Sequence, residues 1–151
     1  MSNFSSTDIG RLSQLLRKEL EIYGRIRELT EAQTQLLAKD DIDALNISLG
    51  EREACIEEIK GLHQESNPLM QSYVSFSTDG KNKNNEIDDL KKQIREVLET
   101  CGGLNDVNIA TMREKTEEHS KKIDQQSAKR KGIGGYAQSV PNTPEMFDKK
   151  T

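Results

Sequence analysis

The chain has 151 residues and a net charge of −4, with 32% hydrophobic, 4% aromatic and 32% charged residues. This is the length of one domain, and the composition excludes a thick globular core while suiting long helices that each bury one apolar stripe. The negative charge argues against a nucleic-acid-binding protein, although residues from Lys121 onward hold seven basic against three acidic residues, a balance of +4.

The first amphipathic pattern runs from Ile9 to about Lys39 and predicts a helix roughly 45 Å long. Its apolar stripe consists of Leu12, Leu15, Leu16, Ile22, Tyr23, Ile26, Leu29, Leu36 and Leu37. The charged residues between them, including Glu19, are expected to face solvent. Ser5 and Asp8 have the spacing of a helix cap. A helix of this length needs partner helices of similar length.

Lys39-Asp40-Asp41 interrupts the first pattern, and a new stripe begins at Ile42. The restart fits either a stutter in one continuous helix or a tight turn. Because two adjacent aspartates suit a helix cap better than a helix interior, we expect an antiparallel hairpin. We predict that the second helix ends at about residue 65, before Pro68. Residues 69–76 are then either its continuation after a kink or a packed loop.

A third stripe begins near Asn85, after a polar linker, and its regular apolar spacing ends at Leu104. The pair Gly102-Gly103 is a weak point in this helix. The predicted fold is all-α: an elongated, antiparallel, coiled-coil-like bundle of three helices with a flexible C-terminal tail. We place the helices at about 9–39, 41–65 and 85–130, in a domain of residues 1–131, and the Gly- and Pro-rich tail at 132–151.

The predicted core combines the apolar stripes of all three helices. It comprises Leu12, Leu16, Tyr23, Ile26, Leu45, Leu49, Ile56, Ile59, Leu90, Ile94, Val97 and Leu104.

The two cysteines and two histidines do not predict a metal site. Cys55 and His63 are eight residues apart on one predicted helix, roughly 12 Å along its axis, too far to share a tetrahedral ion. We interpret Cys55 and Cys101 as core residues and both histidines as exposed. No phosphate-binding loop or flanked nucleophile is present, so we expect no catalytic residue, no metal and no cofactor. The N-terminus lacks a signal-peptide pattern and no apolar run reaches membrane-spanning length, which predicts a cytoplasmic protein with reduced cysteines.

Three stretches of the sequence match a family pattern in order and spacing. The first helix reads LLxxELxxYxxxxELTxxQxxLL, an aspartate-led helix with Glu51-Arg52-Glu53 follows, and the third helix contains LNDVN at 104–108. Together they resemble the FlgN-type flagellar export chaperones, and Gly135-Tyr136 followed by Phe147-Asp148-Lys149 is similar to the tail of some members. The family usually has a leucine pair after the third motif, where this chain has Ile109, Ala110 and Met112.

The resemblance implies a cytosolic, non-enzymatic chaperone of the flagellar type III export apparatus. Its clients would be hook–filament junction (hook-associated) proteins, bound through their C-terminal helices, with no nucleic-acid partner. In this family the C-terminal region carries much of the client contact. Together with the sparse stripe after Leu104 and the apolar tail residues, this predicts client binding by Val107, Met112, Ile123, Ile133 and Tyr136.

Two other functions stay open at this point. One is a filament-cap-type flagellar chaperone, and the other is a generic dimeric coiled-coil scaffold. The sequence also leaves open whether the chain forms a homodimer, which junction protein it binds, and the path of residues 66–85.

Overall fold

The computed structural model describes residues 4–78 and 81–134, with side chains described as far as residue 128. It contains three helices: α1 (Ser6–Ala38), α2 (Ile42–Phe76) and α3 (Asn85–Gly134). The described residues contain no strand. The predicted all-α bundle of three helices is therefore confirmed.

The turn between α1 and α2 ends one helix and begins the next. The backbone N–H groups of Asp40 and Asp41 donate to the carbonyls of Leu37 and Leu36, at 3.2 and 3.0 Å, which is the Schellman pattern. Asp40 has a φ of 56°, a left-handed conformation that aspartate tolerates better than most residues. The side chain of Asp41 accepts from the N–H of Ala44 and so caps α2. The predicted hairpin, rather than one continuous helix, is confirmed.

The N-terminus of α1 is capped as predicted. The Ser5 hydroxyl accepts from the N–H of Asp8 at 3.2 Å, and the Asp8 carboxylate accepts from the N–H of Ser5 at 2.9 Å. This reciprocal capping box satisfies backbone donors that the first helical turn leaves free.

The predicted end of the second helix at residue 65 is wrong, since α2 runs through Pro68 to Phe76. A proline inside a helix removes one backbone hydrogen bond and costs about 3 kcal/mol. Beyond it, however, Tyr73 is buried, while Leu69, Met70 and Phe76 pack against the same apolar cluster. Burial of each large apolar side chain contributes roughly 1.5–3 kcal/mol, so packing of the last two turns outweighs the proline.

The chain divides into two compact units, residues 1–104 and 105–151, and α3 contributes to both. The first unit has two apolar clusters. One surrounds Leu12, Tyr73 and Ile87, and the other surrounds Tyr23, Ile59 and Cys101. From the first cluster to the second, the residue numbers increase along α1 and along α3, whereas they decrease along α2. Within this unit α2 is therefore antiparallel to both of the other helices.

Most of the predicted core is buried, and the remainder is partly buried. Buried members are Leu12, Leu16, Tyr23, Ile26, Leu45, Ile59 and Leu90. Partly buried members are Leu49, Ile56, Ile94, Val97 and Leu104. Buried apolar residues outside the predicted set are Phe4, Leu15, Leu29, Leu37, Tyr73, Ile87 and Cys101. Phe4 and Tyr73 were missed because they lie beyond the predicted ends of the first two helices; their rings are 6.0 Å apart.

Ion pairs join the helices of the first unit at its surface. Arg11 of α1 forms a two-pronged pair with Glu65 of α2, and Arg25 lies 2.9 Å from Glu51. The hydrogen bond from Arg11 is the main cause that lowers the pKa of Glu65, and the same bond raises the pKa of Arg11. These side chains are about half exposed, so solvent screens such pairs and each contributes little to stability.

The domain boundary at residue 131 stays a prediction, and α3 ends at Gly134, a few residues beyond the predicted helix end near residue 130. From residue 135 onward, the predicted flexible tail lies outside the described residues.

Candidate functional site

The second half of α3 carries most of the residues predicted to bind a client. Val107, Met112 and Ile123 lie on this helix in the second unit. The Val107 side chain is 56% exposed, whereas Met112 and Ile123 are partly buried. Ile133 is also in α3, but its side chain is not among those described, and Tyr136 lies outside the described residues.

Helical geometry separates these residues into two faces. An α-helix turns about 100° per residue, so Met112 and Ile123 point in directions only about 20° apart. They are separated by about three turns, or roughly 16 Å along the axis. Val107 points about 140° away from Met112. The structure therefore places Met112 and Ile123 on one face of α3 and Val107 on another.

The face between Met112 and Ile123 is polar. Thr116 and His119 occupy it, and the Thr116 hydroxyl donates to the backbone carbonyl of Met112 at 2.8 Å. This face therefore offers two apolar anchor points three turns apart, set in a polar helical surface.

The first unit holds a second feature, an open groove of about 370 Å³, which the sequence did not predict. Its apolar lining consists of Leu16, Tyr23, Met70, Ile94 and Leu98. Its polar lining consists of Glu19, His63, Ser66, Asn67, Lys91 and Arg95. Each helix contributes residues at intervals of three and four, so each wall is about two turns long, or roughly 10 Å.

A buried carboxylate lies in this groove. Glu19 is only 3% exposed, and its Oε1 lies 2.7 Å from Nε2 of His63. The Tyr23 hydroxyl is 3.3 Å from the same nitrogen. Glu19 Oε2 is also buried but has no hydrogen-bond partner among the described residues. An acceptor of this kind has lost its water without gaining a donor, which is unfavourable.

The surroundings of Tyr23 keep its hydroxyl protonated. Burial raises the pKa of Tyr23, and the negative charge of Glu19 raises it further. The tyrosine, the histidine and the carboxylate thus form one polar cluster at the edge of the second apolar cluster. Such a cluster beside an apolar groove can bind a ligand that brings both apolar surface and a hydrogen-bond donor.

The expectation that Glu19 faces solvent is wrong, and so is the expectation that His63 is exposed. Glu19 lies three residues after Leu16 and four before Tyr23, both of which are buried, and this spacing was the available signal. His63 is partly buried because it pairs with Glu19 across the α1–α2 contact. His119 is exposed, as predicted.

Both cysteines are free thiols in the first unit. Cys101 is buried and Cys55 is partly buried against the same cluster. Burial is the main cause that raises the pKa of each thiol, so both remain protonated and poorly reactive near neutral pH. Within the described part of the chain, no group of three or more His, Cys, Asp or Glu residues is arranged to hold a metal ion.

Comparisons with known proteins give one clear match. Residues 1–124 match the family model described as FlgN protein, which covers α1, α2 and much of α3. No curated protein and no solved structure matched the chain in the corresponding searches. Among the residues that the structure describes, no helix has the length and apolarity needed to cross a membrane.

Proposed function

The chain belongs to the FlgN family of flagellar export chaperones, and we propose that its clients are the hook–filament junction (hook-associated) proteins. In this proposal the chaperone binds a C-terminal helical segment of the client in the cytoplasm. It keeps that segment from aggregating until the export apparatus receives the client. The family match over residues 1–124 is the observation that carries the proposal.

The second half of α3 is the proposed client-binding region. A client helix that buries an apolar face can use Met112 and Ile123 as anchors, because both lie on one face of α3. Val107, Ile133 and Tyr136 remain part of the proposed site. Val107 would contact a client that wraps around the helix, since it points to a different face.

Holding a client helix in this way requires no nucleotide and no catalytic group. Its affinity comes from burying apolar anchors and excluding water around them. The polar residues between Met112 and Ile123 keep the free chaperone surface from presenting one continuous apolar patch. Release to the export apparatus then needs only competition for the same client helix.

Calorimetric titration with purified junction proteins tests this proposal. The full-length chain should bind the C-terminal segment of at least one junction protein. Replacing both Met112 and Ile123 with serine should weaken that binding at least ~tenfold, because two anchors are removed. Glu117→Ser, at an exposed position on a different face of α3, is the matched control and should leave the affinity within about twofold.

The same titration with the filament-cap protein discriminates the rival chaperone type. Tighter binding of the filament-cap protein than of any junction protein would reject the client assignment while leaving the family membership intact. Equal binding by the double serine variant and the unaltered chain would reject the site. A matched pair of chains, one full length and one ending at Gly134, measures the contribution of Tyr136 and the residues around it.

A further inference from the structure

The groove of the first unit has the features of a built binding site. Glu19 lines the groove and is almost fully buried; its Oε2 has no hydrogen-bond partner among the described residues, and its Oε1 lies 2.7 Å from His63 Nε2. A carboxylate paired on one oxygen keeps an unsatisfied acceptor on the second, which a donor reaching the base of the groove would satisfy. The natural donors for a buried carboxylate are the guanidinium of arginine and the ammonium of lysine.

The α3 wall of the groove carries positive charge. Lys91 and Arg95 of α3 line it, and neither forms an ion pair with another described residue. The groove lining also includes apolar side chains, among them Met70, Ile94 and Leu98. Leu98 is 44% exposed, so apolar surface reaches the mouth of the groove. An occupant that fits this pattern has a basic residue within an apolar face and acidic residues along one edge.

The dimensions of the groove indicate the kind of occupant. On α3, the lining residues 91, 94, 95 and 98 form one ridge two turns long, and α1 and α2 supply ridges of similar length. Ridges of this spacing accept the side chains of another helix. The groove thus takes the place that a fourth helix would occupy beside α1, α2 and the first half of α3.

We infer that this groove binds an amphipathic helix of a protein partner that carries an arginine or lysine within its apolar face. The basic side chain donates to Glu19 Oε2, the apolar residues cover Leu98 and Ile94, and acidic residues at the edge pair with Lys91 and Arg95. This site lies in the first unit and goes beyond the client surface proposed on α3, and it does not depend on that proposal.

A displayed library of helical peptides tests the inference, because selection reveals which side chains the groove accepts. The peptides have about 14 residues, roughly 21 Å of helix, with the apolar face randomised to apolar and basic residues. Selection uses the full-length chain. The expected result is enrichment of peptides with one arginine or lysine in that face. The imidazole signals of His63 in nuclear magnetic resonance spectra should shift on binding, and those of exposed His119 should not.

Two variants of the chain distinguish the contribution of the Glu19 carboxylate from that of the rest of the groove. In the unaltered chain, replacing the basic residue of the selected peptide by methionine should weaken binding at least ~tenfold. In the Glu19→Gln variant, the same change in the peptide should weaken binding less than about twofold. Leu98→Lys should weaken every selected peptide at least ~tenfold by placing a charge at the groove mouth. Val74→Lys, at an apolar position on α2 that is 50% exposed and outside the groove lining, is the matched control and should change binding little.

Several results would overturn the inference. Selected peptides without a basic residue, or peptides that bind the Leu98→Lys variant equally well, would show that Glu19 and the groove do not recognise them. Failure to select any peptide would show that the groove does not bind a helix of this kind. If peptide binding dissociated a dimer of the chain, the occupant would be a second copy. If removal of residues 135–151 strengthened peptide binding at least ~tenfold, the occupant would be the chain's own C-terminal segment.

Discussion

Ile94 links the two apolar clusters of the first unit, since it packs against both of them although it is only partly buried. Truncation of an isoleucine in a core costs about 2–5 kcal/mol, so Ile94→Ala should fall near the lower end of that range. Urea denaturation followed by circular dichroism measures the loss. The matched control is Ile47→Ala, because Ile47 is 64% exposed and should cost less than about 0.5 kcal/mol. Equal losses for the two variants would place Ile94 outside the core.

The Arg11–Glu65 pair predicts a pH-dependent contribution to stability. Its hydrogen bond lowers the pKa of Glu65 in the folded chain, so the stabilisation is present above the usual glutamate range and disappears as pH falls through the lowered pKa. Arg11→Met should therefore lower the urea midpoint near neutral pH and have less effect below about pH 4. The control is Arg113→Met, at a position with no ion pair among the described residues; it should leave the urea midpoint unchanged at both pH values. A loss from Arg11→Met that is the same at both pH values would contradict the assignment.

For individual residues, the sequence predicted the burial of apolar side chains better than the burial of polar ones. Helical spacing identifies Leu12 or Ile59 because each follows an apolar stripe, whatever lies opposite. The burial of Glu19 depends on His63, which is 44 residues away in the chain and reaches it only across the hairpin. Charged residues at such helical positions are usually solvated, so the burial of this pair can be identified only from the tertiary structure.

Among the helical elements, the end of α2 holds the beginning of α3 through Tyr73. The Tyr73 hydroxyl donates to Asp88 Oδ1 and accepts from the N–H of Asn84, both at 2.9 Å. Tyr73→Phe removes both bonds and leaves a partly buried donor and acceptor, so it should cost about 1–3 kcal/mol in urea denaturation. Tyr23→Phe breaks only one contact of 3.3 Å and should cost less. The opposite order of the two losses would contradict this role.

Gly102 and Gly103 lie in the interior of α3, and a Cβ added at either would meet no neighbouring atom within 4 Å. Each glycine to alanine substitution should therefore stabilise the helix by about 0.5–1 kcal/mol, because the unfolded chain loses conformational freedom. The thermal midpoint from circular dichroism should rise for both. Ala110→Gly, an exposed substitution on the same helix, should lower it by a similar amount. A lower thermal midpoint for the alanine variants would mean that the glycine pair serves a backbone conformation other than the helical one.

In the helices, tertiary packing overrides the local sequence preference at one position, whereas the helix caps follow local chemistry. Ser5, Asp8 and Asp41 cap their helices as local chemistry predicts. Pro68 is a strong local stop signal, yet α2 continues through it because Tyr73 occupies a buried position beyond it. The sequence of residues 69–76 allowed a helix continuation, but only the contact with Leu12 and Ile87 decides between that and a loop.

For the whole molecule, the family match does not coincide with the division into two compact units. The match extends from the first unit into the second, as far as residue 124. The order of loose helical motifs was enough to predict the family, because the spacing of many weak positions carries more information than any one of them. The sequence could not predict the groove, since its walls come from residues of three helices that are far apart in the chain.

Hydrogen–deuterium exchange of the full-length chain, with and without the C-terminal segment of a junction protein, measures directly whether the second half of α3 binds this client. The client-binding proposal predicts slower exchange on binding between Val107 and Ile133, where anchoring on Met112 and Ile123 stabilises the helix. The filament-cap protein at the same concentration should produce less protection. Protection confined to Leu16–Tyr23 and His63–Met70, or no protection with any junction protein, would contradict the assignment of junction proteins to the second half of α3.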